Sequence, residues 1–162
     1  MLFRSRGVHY LSGAATERYE AARRRVQTFL NAAHEDEIVF TKGGTEAINL
    51  VAQSYLAPRI EPGDEIVLTV MEHHSNIVPW HFLRERQGAV LKWVDVSDLG
   101  ELDPSDVARA ITPKTKFLAI SHMSNVLGTK TALAEIVRLA HERGVPVLAD
   151  GDRKSTRLNS SH

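Results

Sequence analysis

Runs of apolar residues separated by segments of helical spacing constrain this chain most. "EIVLTV" (65–70), "TKFLAISHM" (115–123) and "VPVLAD" (145–150) are largely continuous rather than alternating. Strands of that kind belong to a parallel sheet covered on both faces. "EIVF" (37–40) reads as another short buried strand, and "AVLKWVDV" (89–96) as an alternating one. Helical spacing fills the intervals. From Thr16 it runs through Tyr19, Ala22, Val26, Phe29 and Leu30, and from near Thr45 through Ile48, Val51, Ala52 and Tyr55. "NIVPWHFLRERQG" predicts a helix with Pro79 in its first turn and Gly88 at its end. "DPSDVARAI" predicts one opened by Asp103, and "LAEIVRLAHERG" one stopped by Gly144. Residues 1–13 read as irregular. The expected fold class is α/β, a three-layer α/β/α sandwich with a mostly parallel sheet.

Charge and composition exclude several function classes. Lys plus Arg number 20 and Asp plus Glu number 20, so no strong field points to nucleic acid or a membrane surface. The cluster Arg23-Arg24-Arg25 lies in a helical pattern and reads as a solvated face. No cysteine is present, which rules out disulfides, thiolate metal sites and a thiol nucleophile within these residues. No apolar stretch reaches the length of a membrane span, and the first residues lack a signal-peptide core. The expected location is the cytoplasm.

In a parallel α/β sheet, ligands bind beyond the carboxyl ends of the strands. The polar residues there are "TKGGTE", "MEHHSN", "SHMSN" and Asp150. In "KGGTEA" two glycines allow close approach of the backbone, and the amides around Thr45 open a helix, a pattern suited to phosphate. The same residues also read as a tight turn with Thr45 as N-cap. Asp150, ending an apolar strand, needs a cation or a hydrogen-bond donor. A metal, a ribose or a protonated ring nitrogen would serve, as would capping the next element. His73, His74 and His122 with Asp150 suggest a metal site, but adjacent histidines on an extended chain point to opposite sides. A flat imidazole can instead stack on a flat cofactor. Asn125 can donate and accept at once, orienting a ligand oxygen or simply shaping a turn before Gly128.

Taken together, "RGVHYLSGAATERYEAARRRV", "VFTKGGTEAINLVA", "MEHHSNIVPW", "ISHMSNVLGT" and "VLADG" resemble the cysteine desulfurases of the sulfur-mobilisation (SUF) type. These are pyridoxal 5'-phosphate (PLP) enzymes of fold type I within the class V aminotransferase superfamily. The resemblance runs from about Arg6 to Gly151. It implies that His73 stacks on the PLP ring and that Thr45 with the amide of Gly44 holds the cofactor phosphate. It implies further that Asn125 bonds the ring's phenolic oxygen and that Asp150 keeps the pyridine nitrogen protonated. Lys42 and Glu46 match positions near the mouth of the site and the dimer contact. The implied reaction removes sulfur from L-cysteine to give L-alanine and an enzyme persulfide for iron–sulfur cluster assembly. The implied partners are a sulfur-acceptor protein and a second copy of the subunit.

The departures from that pattern are equally specific. Family members are more than twice as long, and Met1-Leu2-Phe3 resembles a start inside the usual sequence. Asp152 and Arg153 stand where the family has an alanine–glutamine pair. The Ser-Gly-His-Lys motif of the Schiff-base lysine, the nucleophilic cysteine and the substrate-carboxylate arginines would lie further on. The expected organisation is a partial PLP-binding large domain over 1–151 and a non-native, disordered tail, "DRKSTRLNSSH", over 152–162. Such a fragment is expected to be inactive by itself. Another class V enzyme (a selenocysteine lyase, a kynureninase-like hydrolase or an aminotransferase) shares these motifs. A non-catalytic phosphate- or metal-binding α/β module is the reading from a different class.

Overall fold

A computed structural model describes residues 10–124 and 126–151; the expected tail over 152–162 lies outside the described residues. The described residues form two compact units, 10–40 and 41–151. Among them no helix is long and apolar enough to cross a membrane.

The first unit is built on helix α1 (Tyr10–Leu30), which begins earlier than the apolar spacing predicts. Arg23 is not simply solvated. Its guanidinium lies 5.2 Å from the Tyr19 ring centroid and donates to the Ile38 carbonyl at 2.5 Å. Tyr19 in turn meets Phe40 edge to face. The expected strand over 37–40 does not form. Glu35–Glu37 is a 3-10 turn, and Val39 and Phe40 are exposed. A strand exists only where a neighbour takes its backbone groups, and here the Ile38 carbonyl is taken by Arg23.

In the second unit, helix α2 (Gly44–Leu50) continues through a π-helical stretch (Val51–Leu56) into a 3-10 turn (Ala57–Arg59). Strand β1 (Glu65–Thr69) follows, then α3 (Val78–Gln87), β2 (Val90–Val94) and α4 (Pro104–Ala110). Strand β3 (Thr115–Ser121), α5 (Leu133–His141) and β4 (Val147–Asp150) complete it. The local signals act where the sequence places them. Pro79 lies in the first turn of α3, and Gly88 ends that helix at φ 74, in the left-handed region that glycine adopts without strain. The Asp103 carboxylate caps α4 by accepting from the Ser105 amide at 2.7 Å.

The sheet has the order β2-β1-β3-β4, and every pair is parallel. Side chains alternate between two cores. Val67, Leu118 and Ile120 pack with Val107 of α4 and Ile136 and Ala140 of α5. Ile66, Leu68, Phe117 and Ala119 pack with Ile48, Ala52, Leu56, Trp80 and Leu83. Helices therefore cover both faces, giving the expected three-layer sandwich. Burial is nearly complete only along the central strands, β1 and β3. Along β4 the residues are half-buried and Ala149 is exposed, unlike the buried strand predicted for 145–150, because β4 has a partner on one side only.

The amino-terminal edge of the sheet is tied by Glu65. Its Oε2 accepts from Thr112 Oγ1 at 2.5 Å and Thr115 Oγ1 at 3.2 Å, with Lys92 Nζ at 3.6 Å. Partial burial would raise this carboxyl, but the Thr112 bond, the Lys92 charge and the Thr115 bond outweigh it and hold it below the usual carboxylate range.

Candidate functional site

Because all strands are parallel, the residues following β1, β3 and β4 emerge at one edge of the sheet. After β1 the chain runs through Val70 and Met71 to Glu72, which is buried although charged. Its carboxylate accepts from Thr69 Oγ1 (2.6 Å), Asn76 Nδ2 (2.7 Å), Ser121 N (3.0 Å) and Ser121 Oγ (2.6 Å). Asn76 Oδ1 accepts from the indole N–H of Trp80, a fully buried side chain of α3. This network joins the end of β1 to the end of β3 and to the start of α3. Sequence reading assigned Glu72 no role. The available signal was an acid closing an apolar run, with Thr69 three residues before it and Asn76 four after.

His73 follows at the surface and caps the 3-10 turn His74–Asn76. Its Nδ1 accepts from the Ser75 amide at 3.2 Å and lies 2.8 Å from Ser75 Oγ. His74 is exposed beside it, the two ring centroids 6.0 Å apart. Both histidines line a cleft of about 330 Å³ with Val70, Met71, Glu72, Val96, Ser124, Val126 and Leu127. Ser124 shapes the loop beyond β3, its Oγ accepting from the amides of Val126 and Leu127. Asn125, expected to orient a ligand oxygen, lies outside the described residues.

A second cleft, of about 360 Å³, is lined by Gly44, Ala47, Ile48, Val51, Leu148, Ala149, Asp150 and Gly151. The turn before α2 thus faces the end of β4. Gly43, not Thr45, is the N-cap; its backbone is extended and its carbonyl accepts from the Ala47 amide at 3.1 Å. Thr45 lies in the first turn, and the Lys42 amide donates to Glu46 Oε2 at 2.6 Å. A side chain on Gly43 or Gly44 would meet nothing within 4 Å, so the space over this turn is open. First-turn amides have no acceptor within their own helix and point outward. Asp150 is half-buried, and its carbonyl accepts from the His122 amide at 2.9 Å.

Gly44 and Asp150 are therefore brought to one cleft, and His73 and His74 to another. Strand β3 lies between β1 and β4, which places the ends of those two strands two strand spacings, about 10 Å, apart. Among the described residues no three His, Asp or Glu side chains gather as metal ligands.

The chain is 47% identical over 146 residues to a cysteine desulfurase of Dickeya dadantii, covering 90% of this chain and 35% of that protein. Its structure matches the crystal structure of the cysteine desulfurase CsdA from Escherichia coli with a TM-score of 0.80 at 41% identity, over 90% of this chain and 37% of that one. The apo cysteine desulfurase of Thermococcus onnurineus matches with a TM-score of 0.83 at 38% identity, over 92% and 38%. The chain spans little more than a third of the length of these relatives. The family model for class-V aminotransferases matches residues 4–157, and the chain belongs to that family.

Proposed function

We propose that these residues form the cofactor-holding part of a PLP-dependent cysteine desulfurase. The observation that carries this reading is the shared cleft of Gly44 and Asp150 at the carboxyl edge of the sheet. It offers an open turn with first-turn amides at one wall and Asp150 at the other, donors for a phosphate and an acceptor for a protonated ring nitrogen. The naming of the relatives as cysteine desulfurases supports the same reading.

PLP supplies an electron sink for a carbanion at the substrate's α-carbon. The chain's own residues bind and orient. The Gly44 amide and the Thr45 hydroxyl hold the phosphate. Asp150 keeps the pyridine nitrogen protonated through a charge-assisted hydrogen bond. By the family resemblance His73, from the neighbouring cleft, would cover one face of the ring, and Asn125 would bond its phenolic oxygen. Lys42 and Glu46 lie at the mouth of the site. The substrate is L-cysteine, and the products are L-alanine and a persulfide. The sulfur-accepting thiol stands outside residues 1–162, which contain no cysteine. The resemblance to the SUF-type cysteine desulfurases, to whose branch the motif "MEHHSNIVPW" points, implies a sulfur-acceptor protein, a homodimeric assembly and a role in iron–sulfur cluster assembly, in a cytoplasmic setting. Residues 1–151 belong to the large domain in this reading.

Titration of the chain with PLP, followed by absorbance, tests the proposal. The expected result is saturable binding that weakens about tenfold or more in both His73→Ala and Asp150→Asn, as loss of a charged hydrogen bond or of ring stacking requires. Equal binding by the parent chain and both variants would overturn it, and stabilisation by a divalent metal without any PLP response would favour the non-catalytic module.

A further inference from the structure

Among the described residues Glu72 is the only charged side chain that is buried. A carboxylate removed from water costs several kcal/mol unless donors surround it. Here four hydrogen bonds do so, and all come from neutral groups. Apolar residues of the same volume would hold the strands together about as well. What a fixed set of donors adds is position.

The network acts on the residues that flank His73. Glu72 precedes it directly. Asn76, three residues later, is gripped on one side by Glu72 and on the other by Trp80. The Asn76 amide also donates to the His73 carbonyl at 2.7 Å. The turn His74–Asn76 is thereby held at both ends, and it carries Ser75 against the His73 ring. A ring nitrogen that accepts an N–H carries no proton of its own. With Nδ1 accepting from the Ser75 amide, the neutral imidazole bears its proton on Nε2, and the Ser75 hydroxyl, 2.8 Å away, is placed to donate to the same Nδ1.

We propose that Glu72 is a positioning residue for His73: its buried carboxylate fixes the turn through Asn76, so that Ser75 holds the imidazole in one plane and in the Nε2–H tautomer. This rests on the reading of His73 as the residue that covers the cofactor ring. It adds a device for presenting a neutral ring face in a single orientation, with Nε2–H as the group free to donate.

Two measurements separate the device from simple structural support. In ¹⁵N-resolved NMR of the chain without cofactor, at a pH where His73 is neutral, Nδ1 is expected in the unprotonated range and Nε2 in the protonated one. Glu72→Gln and the milder Ser121→Ala shift this signal toward a mixture of tautomers. In PLP titration Glu72→Gln weakens binding about tenfold, yet has no further effect once His73 is alanine. An unchanged tautomer in both variants overturns the proposal. So does an equal loss of PLP affinity with and without His73, which is the result of a merely structural role. If Glu72→Gln does not fold, Ser121→Ala carries the same comparison. If His73→Ala binds PLP as tightly as the parent chain, the reading of the cofactor site falls, while the tautomer measurement still decides whether Glu72 governs the ring.

Discussion

Glu65 opens strand β1 and Glu72 stands three residues beyond its end, and each carboxylate gathers hydroxyl groups from β3 or its approach. At the amino-terminal edge the partners are Thr112, Thr115 and the Lys92 ammonium, and the carboxylate is partly open to water. At the carboxyl edge they are Thr69, Asn76 and Ser121, the carboxylate is buried, and among the described residues no cation pairs with it. A charge within reach of water can be served by a lysine and solvent together, and small shifts of either are tolerated. A charge out of reach of water depends on donors of fixed direction, because each unmet group costs about 1–3 kcal/mol. One edge is thus a tolerant staple, and the other a rigid frame on which the histidines stand.

The largest expected effect breaks this contrast if it fails to occur. Glu72→Ala leaves the hydroxyls of Thr69 and Ser121 and the amide of Asn76 buried without an acceptor, and costs about 3 kcal/mol in urea denaturation. A loss no greater than that of Glu65→Ala would show the two edges to be equivalent.

Glu65→Gln is expected to cost about 1 kcal/mol near neutral pH, with a dependence on pH that sharpens the comparison. The Glu65 carboxyl is held below the usual range in the folded chain. Its contribution is therefore complete above that range and is lost as the pH falls through the lowered folded value. Stability curves of the parent and of Glu65→Gln should converge in acid, and a gap that widens there would contradict the sign.

The smallest effect on stability is expected for Ser75→Ala, within about 0.5 kcal/mol because the site is open to water. Its consequence lies instead in the ring. Loss of one of the two donors to Nδ1 should shift the His73 tautomer populations in NMR, while the stability measured in urea stays nearly constant.

Much of this was legible in the chain's own pattern. Continuous apolar runs announced a parallel sheet, and a parallel sheet gathers the residues after its strands at one edge. Gly88 and Asp103 stop and cap their helices through local geometry that needs no distant partner. Other features were not legible. "EIVF" has the composition of a strand, yet Arg23 takes the Ile38 carbonyl and the residues beyond it are exposed. Thr45 looks like an N-cap, but the extended backbone of Gly43 caps the helix two residues earlier.

The sequence by itself determined the order of elements from β1 to β4, the two-sided burial of β1 and β3 and the residue types gathered at one edge of the sheet, because periodicity and turn chemistry act over a few neighbouring residues. Only the tertiary structure decided that Gly44 and Asp150 share a cleft and that His73 lines another. It also decided that Glu72 meets Ser121, 49 residues away. Such pairs are chosen by which strands become neighbours, and an acid in a sequence carries no mark of the donor it will face.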